Sequence, residues 1–167
     1  MSAKEKISFK MISFMHETLY GIFRDPVSTL ESAGLAQGQS VLEIGCGPGF
    51  FTIPAARIVG NQGSVLSIDV NSVAIAHVKE KIAQSGLDNV RAERLNASDT
   101  GLPDSSIDLA FVFGLPRAEG GFEPLWKEVK RVLRPGGILS VEGRQQPPGE
   151  MFRPDTRAGR ITRYRKD

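Results

Sequence analysis

Cysteine is almost absent from this chain of 167 residues, because Cys46 is the only one. A single cysteine excludes an intrachain disulfide and a zinc site built from several cysteines, and we expect no metal site. Long apolar runs are also absent, since the longest, residues 109–115, is far too short to span a bilayer. His16 and Glu17 interrupt the apolar stretch near the N-terminus, so we predict no signal peptide. We expect a soluble, cytoplasmic domain with no membrane partner.

A large excess of one charge is missing as well, because 21 Lys and Arg stand against 19 Asp and Glu. With 40% apolar and 24% charged residues, the composition is that of one globular domain and excludes a fibrous or disordered chain. Residues 144–167 are the exception, with seven basic and three acidic side chains. Such a tail can contact nucleic acid. No aromatic platform accompanies it, so we do not expect a nucleic-acid partner.

Short apolar runs alternate with segments of helical period through the middle of the chain. The predicted strands are residues 41–44, 65–68, 90–95, 107–113 and 138–141. This order, with strands that are apolar throughout, predicts an α/β fold with a doubly wound, mostly parallel sheet that is covered on both faces. A ligand is expected beyond the carboxyl ends of the strands, beside the first strand.

We predict a single domain with helices at its N-terminal end and a shortened C-terminal part. We divide it into an N-terminal helical lid (residues 1–38), a cofactor-binding core (39–143) and a short basic C-terminal segment (144–167). The lid holds an amphipathic helix over residues 6–23 and a short helix that begins at Asp25 and Pro26.

The basic C-terminal segment is too short to cover the sheet with a helix. Pro147 and Pro148 exclude a helix directly after the fifth strand, and residues 161–166 are predicted to add an edge strand. One apolar face near the fifth strand would then lack its helix. Uncovered apolar surface usually finds a partner, so we predict a homodimer.

A glycine turn lies where the first strand ends and a helix begins. Gly45 and Gly47 allow the backbone to approach a ligand closely, and the free N–H groups of the helix that starts near Gly49 favour a negative group. Asp69 ends the second strand, where a carboxylate can accept hydrogen bonds from two ribose hydroxyls. These residues predict a cofactor that carries a nucleoside.

The spacing of the glycines in the turn and the nearby Glu43 indicate which cofactor binds. The pattern is G-x-G-x-G, and Phe50 stands where the third glycine of a dinucleotide turn, G-x-G-x-x-G, would fall. Glu43, two residues before the turn, would repel a pyrophosphate and attract an ammonium group. S-adenosylmethionine, which has an ammonium and a sulfonium but no phosphate, fits better. A dinucleotide enzyme or an inactive nucleotide-binding module stays open as an alternative.

Four segments in order resemble the class I S-adenosylmethionine-dependent methyltransferases. Residues 41–49 resemble the first motif of that family, and Asp69 resembles the acidic residue of its second strand. Residues 96–108 are similar to the segment before its fourth strand, and residues 133–137 to the turn before its fifth. The resemblance spans about residues 41–142 and is strongest to the branch that includes the ubiquinone/menaquinone C-methyltransferases. It implies a Rossmann-like methyltransferase fold, with S-adenosylmethionine as the cofactor.

The resemblance also implies which residues bind that cofactor. They are Glu43, Gly45, Cys46, Gly47, Gly49, Asp69, Val70, Asn96, Ala97, Gly114 and Leu115. By this resemblance Glu43 faces the methionine ammonium, partly through water, Asp69 holds the ribose and Val70 lies against the adenine. Asn96 stands where the family usually has an Asp that accepts from the adenine amino group. Gly114 and Leu115 would line the methyl-transfer cleft.

Simpler roles are open for several of these residues. Cys46 could be a reactive thiol, although a small filler of the turn is the simpler interpretation. Glu43 could be a base, Asp69 only a helix cap, and Asn96 only a turn residue.

No catalytic base can be named from the sequence. His16 and Tyr20 lie four residues apart on one helix face and are candidates to touch the substrate, or they only pack. Methyl transfer from a sulfonium needs a base only if the nucleophile must lose a proton.

The expected reaction is in-line methyl transfer to a small-molecule acceptor. No Asn-Pro-Pro-Tyr-like sequence follows the fourth strand, which weakens DNA and protein-amide acceptors; the sequence there is Gly114-Leu115-Pro116-Arg117. The alternative is an RNA or protein methyltransferase that uses the basic tail.

Overall fold

The computed structural model describes residues 25–115, 121–143 and 146–167. In these ranges the elements are α1 (Pro26–Ser32), β1 (Ser40–Ile44), α2 (Thr52–Val59), β2 (Ser64–Asp69), α3 (Ser72–Ser85), β3 (Val90–Arg94), β4 (Ile107–Phe113), α4 (Glu123–Val132), β5 (Leu133–Glu142), β6 (Arg153–Ala158) and β7 (Ile161–Arg165). The helix predicted over residues 6–23 lies outside the described residues, and so do His16 and Tyr20. Across those three ranges, no helix is both long and apolar enough to cross a membrane.

The seven strands form one sheet in the order β3-β2-β1-β4-β5-β7-β6. Strands β1 to β5 are parallel, whereas β7 runs antiparallel to both β5 and β6. The predicted doubly wound, mostly parallel sheet is therefore confirmed. The chain steps from β1 to β2 on one side and later to β4 on the other, so the loop after β1 opens at the switch point of the sheet.

Side chains that accept from free backbone N–H groups fix where the helices begin. Asp25 caps α1 through hydrogen bonds from the N–H groups of Val27 and Ser28. Asn71 caps α3 by accepting from the N–H of Val73 at 2.9 Å, and Gly86 ends that helix in the left-handed conformation. These caps agree with the start and stop signals in the sequence.

Alternate residues of the central strands contribute to two apolar layers, one on each face of the sheet. Val41, Val65 and Phe111 pack with Leu30 of α1 and with the buried face of α2. The opposite side of the same strands packs against α4, where Trp126 is almost fully buried. With both faces of the sheet covered, the strand ends are left as the place for a ligand.

The described part of the predicted lid, residues 25–38, packs against the sheet. Leu30 is fully buried, and the carbonyl of Ala33 accepts a hydrogen bond from the hydroxyl of Ser140 in β5 at 2.5 Å. The division of the chain into lid, core and C-terminal segment stays a prediction.

The C-terminal segment differs from the prediction in two ways. Strand β7 lies between β5 and β6, so residues 161–166 are not an edge strand; β6 is the edge. The face near β5 is also not bare, because Phe152 is only 1% exposed and packs with Met151 against the α4 side of the sheet. In the described ranges the large exposed apolar side chains are Val27 and Val70 alone. The reason given for a homodimer is therefore wrong, and the dimer itself stays a prediction.

Candidate cofactor site

The glycine turn folds over the end of β2. The N–H groups of Gly45 and Cys46 both donate to the carbonyl of Ile68, at 2.9 and 3.1 Å. Gly45 has a φ of +75°, and a Cβ atom there would collide with the side chain of Leu115, just after β4. Gly47 has a φ of +50°, and a Cβ there would meet nothing within 4 Å. The turn thus packs against Leu115 at one glycine and borders open space at the other.

Asp69 links the glycine turn to the start of α3. Its Oδ2 accepts from the N–H of Gly47 at 2.9 Å, and its Oδ1 accepts from the N–H of Asn71 at 2.8 Å. The N-cap of α3 is Asn71, so Asp69 is not the helix cap. Each carboxylate oxygen can accept a further hydrogen bond, and the partly exposed side chain can therefore still receive hydroxyl groups.

Glu43 is buried beneath the turn, with only 2% of its surface exposed. Its Oε2 accepts hydrogen bonds from the hydroxyls of Thr52 in α2, at 2.6 Å, and of Ser67 in β2, at 2.5 Å. Burial raises the pKa of Glu43 to about 7 against the effect of these hydroxyls, and the charge of Asp69 adds to the rise. A cation bound nearby would favour the carboxylate form.

Lys81 contacts the turn from α3, and sequence reasoning did not single it out. Its Nζ donates to the carbonyl oxygen of Pro48 at 2.9 Å. Ala74 and Val78 are buried on the same face of the helix. A cation that continues an apolar stripe at helical spacing was the signal that could have found it.

The loop after β3 lies next to the end of β2. Oδ1 of Asn96 accepts from the backbone N–H of Ser98 at 3.0 Å and from its hydroxyl at 2.8 Å, so Asn96 does act as a turn residue. Ala97 packs against the α4 side of the core. Val70, at the end of β2, is 64% exposed. An open apolar side chain there agrees with the expected place of an aromatic base.

A buried carboxylate on α4 holds this loop, and the sequence analysis missed it. Oε1 of Glu128 accepts from the N–H of Thr100 at 2.8 Å and from its hydroxyl at 2.5 Å. Arg131 donates to both oxygens of Glu128, at 2.8 Å each, and also pairs with Asp104. The pKa of Glu128 is lowered to about 2, mainly by the hydrogen bonds from Arg131.

Cys46 is buried in the turn, as expected for a small packing residue. Burial raises the pKa of its thiol far above the usual range, and the nearby acids Glu43 and Asp69 add to the rise. A thiolate nucleophile therefore does not form near neutral pH.

The structure brings most of the predicted residues to one edge of the sheet. Those at the carboxyl ends of β1 to β4 are Glu43, Gly45, Cys46, Gly47, Gly49, Asp69, Val70, Asn96, Ala97, Gly114 and Leu115. The catalytic candidates His16 and Tyr20 stay outside the described residues, and their role stays a prediction.

Residues 35–155 match the family of methyltransferase domains. A ubiquinone/menaquinone biosynthesis C-methyltransferase of Marinomonas sp. is 32% identical over 126 residues, which cover 74% of this chain and 50% of the relative. The enzyme of that name from Shewanella pealeana is 32% identical over 155 residues, or 92% of this chain and 59% of the relative. The chain spans about half the length of the curated relatives it matches.

A solved structure has nearly the same extent as this chain. The S-adenosylmethionine-dependent methyltransferase of Aquifex aeolicus matches with a TM-score of 0.78 and 23% identity, over 97% of this chain and 98% of the other. At that identity the likeness concerns the fold, whereas the family match rests on the sequence. By its sequence, its strand order and the residues at its strand ends, the chain belongs to the class I S-adenosylmethionine-dependent methyltransferases.

Proposed function

We propose that this chain binds S-adenosylmethionine at the glycine turn and transfers its methyl group to a small-molecule acceptor. The observation that carries the proposal is the pair of acids at the turn: Glu43 in β1, which leads into the turn, and Asp69 at the end of β2, which accepts from the N–H of Gly47. Two carboxylates at this point suit a cofactor with an ammonium and a sulfonium and disfavour a pyrophosphate. The dinucleotide alternative is weaker for the same reason.

The geometry supports one direction for the cofactor along the sheet edge. The open side of Gly47 would face the methionine part, with Glu43 beneath it as the counter-charge for the ammonium. Asp69 would receive the ribose hydroxyls, because both its oxygens are already oriented by backbone N–H groups. The base would then extend over Val70 toward the loop that holds Asn96 and Ala97, since β3 is the next strand outward.

Catalysis in this site would rest on positioning. The sulfonium supplies an activated methyl group and a good leaving group when the cofactor is bound. The chain's contribution is to hold the acceptor in line with that methyl and to exclude water, and such alignment can lower a barrier by roughly 7–11 kcal/mol. Leu115, which packs against Gly45, would form the wall of the cleft on the acceptor side.

A small acceptor is favoured over RNA because arginines of the basic tail have acidic neighbours. The ion pairs are Arg153 with Asp167, Arg165 with Asp155 and Arg160 with Glu142. A hairpin in which three arginines are paired in this way offers fewer unpaired charges to phosphates than its sequence implies. The names of the curated relatives favour a quinone precursor as the acceptor. The homodimer and the cytoplasmic location stay predictions.

Calorimetry tests the cofactor. We expect saturable binding of S-adenosylmethionine and of S-adenosylhomocysteine, and no binding of NAD at the same concentrations. An Asp69→Ala variant should lose most of the affinity, whereas Asp88→Ala, a change in the exposed turn after α3, should not. Binding of NAD alone would refute the proposal.

Transfer of a labelled methyl group tests the acceptor. The probes are a short-chain prenylated benzoquinol, a naphthoquinol of the same kind, and total RNA. Label in a quinol supports the proposal. Label in RNA, with salt-dependent binding that is lost when the exposed Arg157 and Arg160 are both replaced by Gln, would favour the alternative.

A further inference from the structure

Lys81 lies on α3, on the helix face that packs against the glycine turn near Gly49. Val78, one turn earlier on the same helix face, lies so close that a Cβ on Gly49 would approach its Cγ2 to 2.9 Å. Lys81 is part-buried at the next position of this face, and its Nζ reaches the carbonyl of Pro48 at 2.9 Å. The helix therefore meets the second half of the turn through an apolar contact and a charged hydrogen bond.

The peptide group between Pro48 and Gly49 is held at both ends. Its carbonyl oxygen accepts from Lys81, and its N–H, which belongs to Gly49, donates to the carbonyl of Cys46 at 2.9 Å. Both bonds together fix the plane of this peptide. The N–H of Gly47, which belongs to the preceding Cys46–Gly47 peptide, is held separately by Asp69.

The charge of Lys81 also acts on the buried acid beneath the turn. Burial and the charge of Asp69, at the end of β2, both favour the neutral form of Glu43, whereas Lys81 on α3 favours its carboxylate. The hydroxyls of Thr52 in α2 and Ser67 in β2 donate hydrogen bonds to Glu43, and the thiol of Cys46 stays protonated. Lys81 therefore opposes the two effects that would discharge Glu43.

We propose that Lys81 is a positioning residue for the cofactor site, which fixes the Pro48–Gly49 peptide and offsets the negative charge of Glu43 beneath the turn. The inference rests on the proposed function for its effect on binding. Its effect on the turn does not depend on a ligand, because the hydrogen bond joins two groups of the chain itself.

Matched variants separate the charge of Lys81 from a general effect on α3. Lys81→Met removes the charge and the hydrogen bond, and Lys81→Arg keeps both. Lys79→Met is the control, since Lys79 is exposed on the same helix.

The first measurement is the Kd for S-adenosylhomocysteine by calorimetry between pH 5.5 and 8.5. We expect Lys81→Met to weaken binding about tenfold at pH 7 and to move the midpoint of its pH dependence upward, because Glu43 loses the cation that favours its charged form. Lys81→Arg should restore the midpoint and most of the affinity, and Lys79→Met should change neither. A Kd for Lys81→Met within twofold of the wild type at every pH would overturn the proposal.

The second measurement is hydrogen exchange of the ligand-free proteins. In Lys81→Met the amides of residues 46–52 should exchange at least tenfold faster than in the wild type, while those of α4 should not change. Equal exchange in the turn refutes the positioning role, even if neither protein binds the cofactor. Failure of the wild type to bind, with fast exchange in the variant, would instead refute the proposed function and leave the positioning role supported.

Discussion

Glu128 accepts both the backbone N–H and the hydroxyl of Thr100, at 2.8 and 2.5 Å. The same carboxylate accepts two N–H groups from Arg131, which also reaches Asp104 at the far end of the loop. The loop between β3 and β4 is thereby fastened to α4 at two points. Because Asn96 lies at the start of this loop, α4 would help to set the position of the base side of the proposed site.

Replacement of Glu128 should destabilise the fold far more than its exposed neighbour on the helix. Glu128→Gln keeps an oxygen for Thr100 but loses the charge that binds Arg131, so we expect the free energy of unfolding to fall by about 1–3 kcal/mol. Glu123→Gln is the control, because its ion pair with Lys127 is exposed to solvent and its loss should hardly change the free energy of unfolding. Urea unfolding at pH 7 measures both. Equal losses would contradict the structural role of Glu128.

Glu43 should make the protein less stable as the pH rises from about 4.5 to about 7. Its pKa is raised from 4.5 to about 7 in the folded state, so between these values the folded protein binds more protons than the unfolded chain. Stability is then highest below about pH 4.5 as far as this group is concerned, and falls by about 3 kcal/mol by pH 7, at about 1.4 kcal/mol per pH unit.

Glu43→Gln provides the comparison for this pH dependence. The variant has no ionisable group beneath the turn, so its free energy of unfolding should decline less between pH 5 and pH 8 than that of the wild type. Urea unfolding at four pH values measures the two slopes. Parallel curves would show that Glu43 titrates as an ordinary carboxyl group.

Gly47→Ala should weaken cofactor binding, because the added methyl group would fill space that the cofactor needs. Gly47 and Gly86 both have positive φ angles, and a Cβ at either would meet nothing within 4 Å of the free protein. The backbone strain of the two alanine variants should therefore be similar, at about 1–2 kcal/mol. Only Gly47 borders the proposed site, so the Kd for S-adenosylhomocysteine should rise at least tenfold in Gly47→Ala and stay unchanged in Gly86→Ala. Equal binding by both variants would show that the cofactor lies elsewhere.

Strands that are buried on both faces were the best predicted part of the fold. Strand β4 begins and ends at Ile107 and Phe113, as its apolar run indicated, because a central parallel strand has no solvent face to interrupt the run. Strand β6 was not predicted. Its sequence is polar and contains Pro154, and its pairing with β7 at the sheet edge cannot be read from local pattern.

The site shows the same division between local and tertiary signals. The turn at Gly45 and the acid at Asp69 could be predicted, because their chemistry is carried by spacing along the chain. Lys81 and Glu128 were not singled out, since a charged residue in a helix ordinarily faces solvent; the spacing of Lys81 after Ala74 and Val78 was the one local signal. Only the packing of each helix gives these two side chains their partners, Pro48 and Thr100.

Asn96→Asp should strengthen the binding of an adenine-containing cofactor. The backbone N–H of Ser98 can only donate, so the Asn96 atom 3.0 Å away must be the oxygen, and the Ser98 hydroxyl donates to that oxygen as well. The amide therefore has little acceptor capacity left for the amino group of an adenine. An aspartate would keep the turn with one oxygen and offer the other, with charge, to that amino group.

The base analogue of the cofactor product separates this effect from a general gain in affinity. S-inosylhomocysteine has a carbonyl in place of the adenine amino group, and a carboxylate would repel it. We expect the Asn96→Asp variant to bind S-adenosylhomocysteine several-fold more tightly than the wild type and to bind the inosine analogue less tightly, so that the ratio of the two Kd values changes at least tenfold. Calorimetry with both ligands measures this ratio. An unchanged ratio would mean that the amino group of the base does not face residue 96.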